Sequence, residues 1–412
     1  MKKKNNMKTI DVLKTGSLTD IIGPVGTLRR ILKNHKFFEN NGLKISVYNK
    51  GRFFRDWTDN DVIKKTSKKT WKQKFRAKLD NWAKHSFLLS VLLVERKYHE
   101  HKKFVERYLA EHRNPDVLVC HAEVECYYFL KLNKNKNVKT VLFFHNDGIP
   151  MKMYAIYYPK LINTCYMKRL LKRYEYTISN VDKCAFICEI GMKNINTYYP
   201  ASIDKSFLIV NGIDDLTTKE LEEVSAIKKA KSNDKIEICC VGSVSVRKAQ
   251  RLVIQAIIQL PEELRQRYHL TIVGDGPDMD YCRELVNINN MDEQVTFTGA
   301  VPNHNVYKHL AGADVFVLLS QNEGLPISII EAMRAGLAIV STNVSGIPEL
   351  VAYDNGILIE PSAEAFSSVL SNPNTYDWKK MGVNSRIAFE KKFTSERMRN
   401  DYVQMISSLY EN

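Results

Sequence analysis

Long apolar stretches are missing from this sequence of 412 residues. A membrane-spanning helix needs about 18 or more apolar residues in a row, and the longest run, at 87–94, is much shorter. We therefore predict that this run forms a buried helix or strand. The basic N-terminus has no apolar stretch followed by a small-residue cleavage site, so no secretory signal is expected.

Cysteine pairs with metal-binding spacing are missing as well. The eight cysteines never form a C-x-x-C pair, and Cys239 and Cys240 lie within a strand-like run. Structural metal sites and disulfides are therefore not expected, and a reducing compartment fits this cysteine usage. We predict a soluble protein of the cytoplasm.

Acidic residues are scarce in the first half of the chain. Residues 1–220 hold 42 basic and 22 acidic side chains, a net charge of +20, whereas residues 221–412 hold the remaining 19 basic and 24 acidic side chains, a net charge of −5. Such a basic half favours an anionic partner: nucleic acid, an anionic membrane face or a phosphorylated substrate. A composition of 44% hydrophobic and 26% charged residues excludes a disordered or fibrous chain.

Short β-branched apolar runs alternate with helix-patterned segments along both halves. This alternation predicts parallel sheets covered by helices on both faces. The segment 213–235 is charged and has no strand pattern, so we predict a linker there. The predicted fold class is α/β, with two doubly wound Rossmann-like domains that face each other across a cleft at the carboxyl ends of their strands.

Two carboxylates follow the predicted strand at 315–319. Glu323 stands just before a predicted helix at 327–335, and Glu331 lies in the second turn of that helix. Gly324 allows a ligand to approach the backbone closely, and the amides at the helix start favour an anion. The two carboxylates can accept hydrogen bonds from two hydroxyls of one ligand. On spacing alone, a surface cap and a solvated helix residue explain the pair equally well.

Two glycine loops follow other predicted strands. The loop after 236–241 combines Gly242 with Arg247 and Lys248 just before a helix, an arrangement that can hold a phosphate. The loop after 270–273 reads Gly274-Asp275-Gly276-Pro277. Its glycines fit a purely structural turn equally well.

Taken in order, the motifs of residues 236–361 resemble the donor-binding domain of the retaining family 4 glycosyltransferases, which have the GT-B fold. The resemblance rests on the two glycine loops, the E-x(7)-E pair Glu323 and Glu331, and the segments 295–299, 331–336, 346–350 and 355–356. It implies an acceptor-binding domain at 1–212, the linker at 213–235, a nucleotide-sugar-binding domain at 236–392, and a terminal helix at 393–412 that packs back on the first domain.

The resemblance also implies roles in donor binding. Glu331 accepts hydrogen bonds from the ribose of a nucleotide sugar, and Glu323 holds the transferred sugar. The amides of Gly324 and Leu325 meet the diphosphate. The glycines of the strand ends complete this implied site: Gly242, Gly274 and Gly299.

Lys248 matches the family lysine that neutralises the leaving phosphate. Many members carry an arginine directly after the first glycine, where this chain has Ser243. Either Arg247 supplies that second charge by a different route or one phosphate contact is missing. Because cations and helix amides stabilise the departing diphosphate, neither a metal nor another cofactor is expected. The family implies front-face attack, with Glu323 as a sugar ligand rather than a nucleophile.

The first half resembles the family more loosely. Residues 23–27 resemble the glycine loop before a helix at 28–40, which implies donor contacts of Gly23 and Gly26. His145, at the end of the predicted strand 141–145, resembles the histidine that reaches the donor sugar, and His121 is a weaker candidate. Apart from the family, His145 fits a satisfied loop histidine better. Residues 210–214 match the turn that closes the first domain.

A basic insert occupies 64–84, with nine Lys or Arg and one acid. Trp71, Phe75, Leu79 and Trp82 share one face of a predicted helix. A cationic helix with a Trp stripe is typical of binding to an anionic membrane. Packing of that stripe on its own domain is an equal alternative. Nucleic-acid binding is disfavoured because no recognition motif accompanies the insert.

We therefore expect a retaining, metal-independent glycosyltransferase that moves a sugar from a nucleotide-diphosphate sugar, a UDP-sugar being favoured, to a glycan acceptor. The expected acceptor is carried on a lipid pyrophosphate at the inner face of the cell membrane, in capsule, lipopolysaccharide or exopolysaccharide synthesis. A nucleotide-sugar epimerase or hydrolase of the same fold and a non-catalytic glycan-binding scaffold are the alternatives.

Overall fold

The computed structural model describes residues 7–16, 18, 23–56, 79, 81–231, 234–372 and 374–411. The chain divides into two compact units. The first unit comprises Met1–Ile209 and Arg399–Asn412, and the second comprises Val210–Met398.

The first unit is built from strands alternating with helices. Its strands are β1 (Lys8–Leu13), β2 (Leu43–Asn49), β3 (Arg52–Phe54), β4 (Val117–Cys120), β5 (Lys139–Phe144), β6 (Lys183–Phe186) and β7 (Ser206–Leu208). Its helices are α1 (Gly23–Lys33), α2 (His35–Asn40), α3 (Phe87–Ala110), α4 (Glu123–Leu132), α5 (Lys152–Tyr157), α6 (Cys165–Asn180) and α7 (Glu189–Tyr198), with 3-10 turns at Pro159–Leu161 and Pro200–Lys205.

The second unit repeats this pattern. It begins with α8 (Thr218–Ala230), and its strands are β8 (Ile236–Val241), β9 (Tyr268–Val273), β10 (Val295–Gly299), β11 (Val315–Leu318), β12 (Ala338–Thr342) and β13 (Gly356–Ile359). The helices that follow are α9 (Gln250–Ile258), α10 (Glu262–Arg265), α11 (Met279–Ile288), α12 (Val306–Ala311), α13 (Ile327–Ala335), α14 (Ala363–Leu370) and α15 (Trp378–Lys392), with 3-10 turns at Asn303–Asn305 and Ile347–Leu350. The last helix, α16 (Ser395–Ser407), begins in the second unit and continues into the first.

Both sheets are doubly wound, as predicted. The strand order is β3-β2-β1-β4-β5-β6-β7 in the first unit and β10-β9-β8-β11-β12-β13 in the second. Neighbouring strands are parallel except for the antiparallel pair of β2 and β3. The strand order reverses between β1 and β4 and between β8 and β11. Ligands of open α/β sheets bind at the carboxyl ends of the strands at such switch points.

Three aspartates brace the starts of central strands. Asp116, Asp182 and Asp314 each stand just before a strand and accept a hydrogen bond from a backbone amide at the start of the neighbouring strand, at 2.8, 2.8 and 2.9 Å. Their carboxylates therefore satisfy amides that the sheet ladder leaves open. These braces lie at the amino ends of the strands, opposite the edge where ligands bind.

Two sequence predictions about the first unit are wrong. Residues 23–27 are not a loop but the beginning of α1, because Pro24 suits the first turn of a helix, where a missing amide proton breaks no hydrogen bond. The apolar run at 87–94 is not wholly buried. It forms the start of α3, where Leu88 and Leu92 are 78% and 64% exposed. Their spacing of four residues places both on one outward face of the helix, while Val94 is buried.

The segment 213–235, predicted as a linker, contains α8 and lies in the second unit. Thr217 and Glu220 form a capping box at the start of this helix, which explains why a charged segment is ordered there. Within the described ranges, no helix is long and apolar enough to cross a membrane.

Candidate functional site

The loop between β8 and α9 supplies two cations. Gly242 follows β8 with a φ of 149°, and the Lys248 side chain lies across it, since a Cβ at position 242 would be 3.6 Å from Lys248 Cε. The buried Ala249 adopts a left-handed φ of 53° just before α9. This conformation is uncommon for a residue with a Cβ and costs about 1–2 kcal/mol, so the surrounding packing must hold it.

Glu323 forms ion pairs with both cations of that loop. Its Oε1 lies 2.7 Å from Lys248 Nζ and 2.7 Å from Arg247 Nη1, and it accepts a hydrogen bond from Ser320 Oγ at 2.9 Å. Arg247 also donates to the carbonyl oxygen of Asn322 at 2.7 Å. No donor from the described part of the chain bonds the other oxygen, Oε2. That oxygen is therefore able to accept a further hydrogen bond.

The Glu323 carboxyl is ionised in this cluster. Its side chain is only 10% exposed. Burial alone raises the pKa of the carboxyl, but the charges of Lys248 and Arg247, with hydrogen bonds from Lys248 and Ser320, lower that pKa below its ordinary value. Two cations against one carboxylate leave a net positive charge, which suits an anionic ligand.

The start of α13 lies beside this cluster. Pro326 is the N-cap residue, and Glu331 is half-buried in the second turn. The amides of Gly324 and Leu325 donate to no acceptor among the residues that the structure describes. Because the helix dipole places positive charge at this end, free amides here favour an anion.

Two buried amide side chains that the sequence analysis missed hold the loops in place. Asn211 Nδ2 donates to the carbonyl oxygen of Leu325 at 3.0 Å. Gln250 accepts from the amide of Ser245 and donates to the carbonyl oxygen of Ser243, both at 3.2 Å. Asn211 is part of the motif at 210–214, which the sequence analysis interpreted as the turn that closes the first domain and not as part of the site. Gln250 gave no signal, because glutamine is ordinary in a helix.

The glycines after β9 and β10 meet neighbouring backbone. Gly274 has a φ of 140°, and a Cβ there would overlap the carbonyl oxygen of Gly242. Its amide donates to the carbonyl oxygen of Gly299 at 2.9 Å. Gly276 would meet Val244 in the same way. The close approach of the loops after β8 and β9 therefore explains Gly274 and Gly276.

In the first unit, His145 follows β5 and pairs with His121, which follows β4. Nδ1 of His121 lies 2.6 Å from Nε2 of His145, and both rings stack on Phe143, with centroids 5.1 and 4.9 Å away. Burial lowers the pKa of His145 to about 3, and the charge of Lys14 acts in the same direction. Burial, then His145 and Lys14, lower the pKa of His121 as well. Both rings are therefore neutral near pH 7.

The predicted site residues thus fall into two groups. The structure brings one group together at the β8–β11 switch point of the second unit: Gly242, Arg247, Lys248, Glu323, Gly324, Leu325 and Glu331. On one side of β8 lie β9, which Gly274 follows, and then β10, which ends at Gly299. The first unit holds His145 at the end of β5, and Gly23 and Gly26 within α1.

Acidic and metal-ligating side chains form no cluster of three or more with metal-binding geometry in the described part of the chain. Two Asp-x-Asp triplets occur in the sequence. Asp59-Asn60-Asp61 lies outside the described residues. Asp278-Met279-Asp280 opens α11, where the Asp278 carboxylate lies 4.0 Å from Arg251.

A doubly wound parallel sheet with a glycine loop, paired cations and a helix start at its switch point is the typical arrangement of a domain that binds a phosphorylated ligand. Comparison with known proteins identifies the domain further. Residues 222–385 match the family model of the glycosyl transferases group 1. The chain has the GT-B fold, and the resemblance of its second half to a glycosyltransferase domain is confirmed.

Curated relatives match parts of the chain. The phosphatidylinositol N-acetylglucosaminyltransferase GPI3 subunit of Saccharomyces cerevisiae is 22% identical over 257 residues, which cover 57% of this chain and 57% of that protein. The putative colanic acid biosynthesis glycosyltransferase WcaL of Escherichia coli is 36% identical over 137 residues, 32% of this chain and 33% of that one. The chain therefore matches only a little over half the length of the yeast relative.

Solved structures match almost the whole chain. The sucrose-phosphate synthase of Thermosynechococcus elongatus superposes with a TM-score of 0.72 at 16% identity and covers 98% of this chain and 99% of its own. HepE of Anabaena in complex with UDP superposes with a TM-score of 0.65 at 14% identity and covers 98% and 100%. At such low identity these likenesses show the shared fold.

Proposed function

We propose that this protein is a glycosyltransferase that transfers a sugar from a nucleotide-diphosphate sugar to a glycan acceptor. The observation that carries the proposal is the cluster of Lys248, Arg247 and Glu323 beside the start of α13. This cluster combines positive charge, free amides and an ionised carboxylate oxygen within one switch point. Those are the groups needed to hold a diphosphate and a sugar together.

A UDP-sugar is the proposed donor. Support comes from the match to HepE, whose structure contains UDP. In our proposal the diphosphate lies against Lys248 and the amides of Gly324 and Leu325, and the ribose hydroxyls donate to Glu331. Lys248 and these amides stabilise the charge on the leaving diphosphate, so the proposed reaction requires no metal ion and no other cofactor.

Retention without a protein nucleophile is the proposed stereochemical course. A nucleophilic carboxylate needs a strongly basic oxygen to attack the anomeric carbon. Oε1 of Glu323 already faces three donors. Burial raises the pKa of this carboxyl, but the charge of Lys248 in particular lowers it below the ordinary value, so the nucleophilicity of the carboxylate is reduced. Glu323 therefore serves better as a sugar ligand through Oε2. His145 is the proposed contact of the first unit with the donor sugar.

A lipid-linked acceptor in surface polysaccharide synthesis, reached at the inner membrane face, is the proposed setting. The first half carries a net charge of +20 by the counts above, and α3 exposes Leu88 and Leu92 at 78% and 64%. Of the basic insert, residues 64–78 and 80 lie outside the described residues, and Trp82 is 57% exposed. The yeast relative is named for phosphatidylinositol, a membrane lipid, and WcaL for colanic acid, a polysaccharide.

Loss of nucleotide binding in Glu331→Ala tests the donor site. Because the carboxylate is proposed to accept two hydrogen bonds from ribose, each worth about 1.5–3 kcal/mol, the affinity for UDP should fall about 100-fold or more. Isothermal titration calorimetry measures the affinity. Glu284→Ala, an exposed glutamate on α11, is the matched control and should bind UDP like the wild type. Unchanged affinity in Glu331→Ala would refute the site.

Incubation with UDP-sugars without an acceptor separates the transferase from its alternatives. The proposed enzyme should leave the donor sugar largely intact until an acceptor is supplied. Rapid formation of an epimer or of free sugar would sink the transferase proposal and favour an epimerase or hydrolase. Absence of nucleotide binding altogether would favour a glycan-binding scaffold.

Sedimentation with liposomes tests the proposed membrane contact. Binding to vesicles that contain anionic lipid should exceed binding to neutral vesicles and should weaken with salt, because exposed charges are screened. The double variant Leu88→Ser/Leu92→Ser should bind less, whereas Leu221→Ser, an exposed leucine of the second unit, should not. Absent or salt-insensitive binding would count against the proposal.

A further inference from the structure

The switch point of the first sheet brings Lys14 next to His121. Strands β1 and β4 are parallel neighbours there, and their last paired residues are Leu13 and Cys120. Lys14 and His121 are the next residues along the two strands. Neighbouring parallel strands lie about 4.8 Å apart, and residues in register point to the same face. Lys14 and His121 therefore form the edge at which a doubly wound sheet binds its ligand.

The Lys14 side chain has no counterion among the described residues. Its backbone is held firmly, since Asn49 Nδ2 donates to the Lys14 carbonyl oxygen at 2.6 Å and the buried Glu125 accepts from the amide of Thr15 at 2.8 Å. Lys14 is half-buried, and its charge acts on both His121 and His145. A partly desolvated cation that has no counterion among the described residues favours an anion.

A second polar group at this edge also lacks a partner. His121 is 8% exposed, its Nδ1 pairs with His145, and its Nε2 is buried without a hydrogen bond in the described part of the chain. Leaving such a group unpaired costs about 1–3 kcal/mol. If Nδ1 of the neutral ring accepts the proton of His145, Nε2 carries the hydrogen of His121 and is a donor.

From this arrangement we infer that Lys14 and His121 form an anion-binding subsite that takes a carboxylate or phosphate oxygen of a substrate. Lys14 supplies the charge, His121 donates a directed hydrogen bond from Nε2, and His145 selects the tautomer of His121. The inference rests on the proposed function, because it names the chemistry of a group on the donor or the acceptor of that reaction.

Inorganic phosphate is the probe for this subsite. The full-length protein with isotope-labelled histidine is titrated with phosphate at constant ionic strength, and the imidazole resonances are followed by NMR and assigned with His121→Asn and His145→Asn. Phosphate should shift both resonances in the wild type. In Lys14→Met the affinity should fall about tenfold or more, because a charged hydrogen bond is lost.

Two further variants make the result specific to this position. Lys183→Met removes a half-buried lysine at the opposite, amino edge of the same sheet and should bind phosphate like the wild type. Lys14→Arg keeps the charge and should retain most of the affinity, which shows that Lys14→Met does not act through misfolding. Equal phosphate affinity in the wild type and Lys14→Met, or no shift of either resonance, would overturn the inference.

UDP distinguishes the two sources of the anion. Weaker UDP binding in Lys14→Met would identify the anion as a donor phosphate. Unchanged UDP binding, with phosphate binding weakened, would identify it as an acidic group of the acceptor. If the proposed function is wrong, the affinity for UDP will not depend on Glu331 in the second unit. The phosphate titration is a separate readout, because the resonances that it follows belong to histidines of the first unit.

Discussion

The two sheets are both doubly wound, but the cations at their switch points have opposite surroundings. In the second unit, Lys248 and Arg247 are paired with the buried Glu323 at 2.7 Å each. In the first unit, Lys14 has no counterion among the described residues, and the histidines beside it are kept neutral, chiefly by burial.

This difference shows how one scaffold supports two chemistries. The strand order determines where a ligand binds, because the loops after two neighbouring strands run to opposite sides of the sheet only where the strand order reverses. The residues just after the strands decide what is bound. An internal carboxylate holds the cations of the second unit in one geometry before any ligand arrives, which reduces the reorganisation on binding. In the first unit, by contrast, Lys14 has no compensating carboxylate within the described ranges.

Among the cations of the two switch points, the largest effect is expected from removing Lys248, the more buried of the two cations that pair with Glu323. Lys248 is 12% exposed, and Lys248→Met should lower the affinity for UDP about 10- to 100-fold, since a desolvated charged hydrogen bond is lost. Calorimetry with UDP measures this. Lys308→Met, which breaks the 2.7 Å ion pair with Glu223 elsewhere in the same unit, is the control and should bind normally. Wild-type affinity for UDP in Lys248→Met would contradict the proposed role of the cations at the switch point of the second unit.

Acid should destabilise the first unit before the second. The pKa of His145 is lowered by burial from its ordinary value of 6.5 to about 3, and that of His121 is lowered too. The unfolded chain therefore binds more protons below pH 6.5. The free energy of unfolding should fall as the pH drops through this range, by up to about 1.4 kcal/mol per pH unit for each histidine.

Glu323 contributes with the same sign but in a lower pH range. Its pKa is below the ordinary value of 4.5, so its stabilisation is fully present above that pH and is lost only on further acidification. Pulse-labelling hydrogen exchange in urea at pH 7 and 5 can follow peptides of each unit. His145→Asn should flatten the pH dependence of the first unit, whereas the exposed His304→Asn should not. Parallel losses in both units would contradict the assignment.

The smallest effect is expected at Arg247, which is 41% exposed. Partly exposed pairs contribute about 0.2–1 kcal/mol, so Arg247→Met should weaken UDP binding only about 2- to 5-fold. Adding Ser243→Arg to that variant should restore the affinity, because it returns the charge to the position where many family members carry it. A loss as large as that of Lys248→Met would show that Arg247 carries the main phosphate contact.

Much of the second unit was predictable from its sequence. Buried parallel strands are short β-branched runs, so β8 and β11 were found within one residue of their observed ends. Lys248, Glu323 and Glu331 stand at fixed short distances from those strands and from α13, and local spacing alone places them at its carboxyl edge. The ordered set of motifs then connected them with one family.

Other parts of the two sites depend on distant contacts. Asn211 reaches Leu325 across 114 positions of sequence, and nothing in either local segment indicates that bond. Lys14 and His121 meet through the pairing of β1 with β4. The outward face of α3 was mistaken for core, because apolar residues in sequence do not reveal which side of a helix is covered.

The sequence by itself determined the α/β class, the doubly wound halves and the cation and carboxylates of the second unit, because these follow from residue periodicity and from positions next to strand ends. Only the tertiary structure decided that Glu323 holds both cations, that His121 pairs with His145, and that Lys14 lies beside them with no counterion in the part of the chain that the structure describes. Those features depend on side chains that different strands bring close together. The sequence of a single segment does not reveal them, because the order of the strands in the sheet cannot be inferred from any one segment.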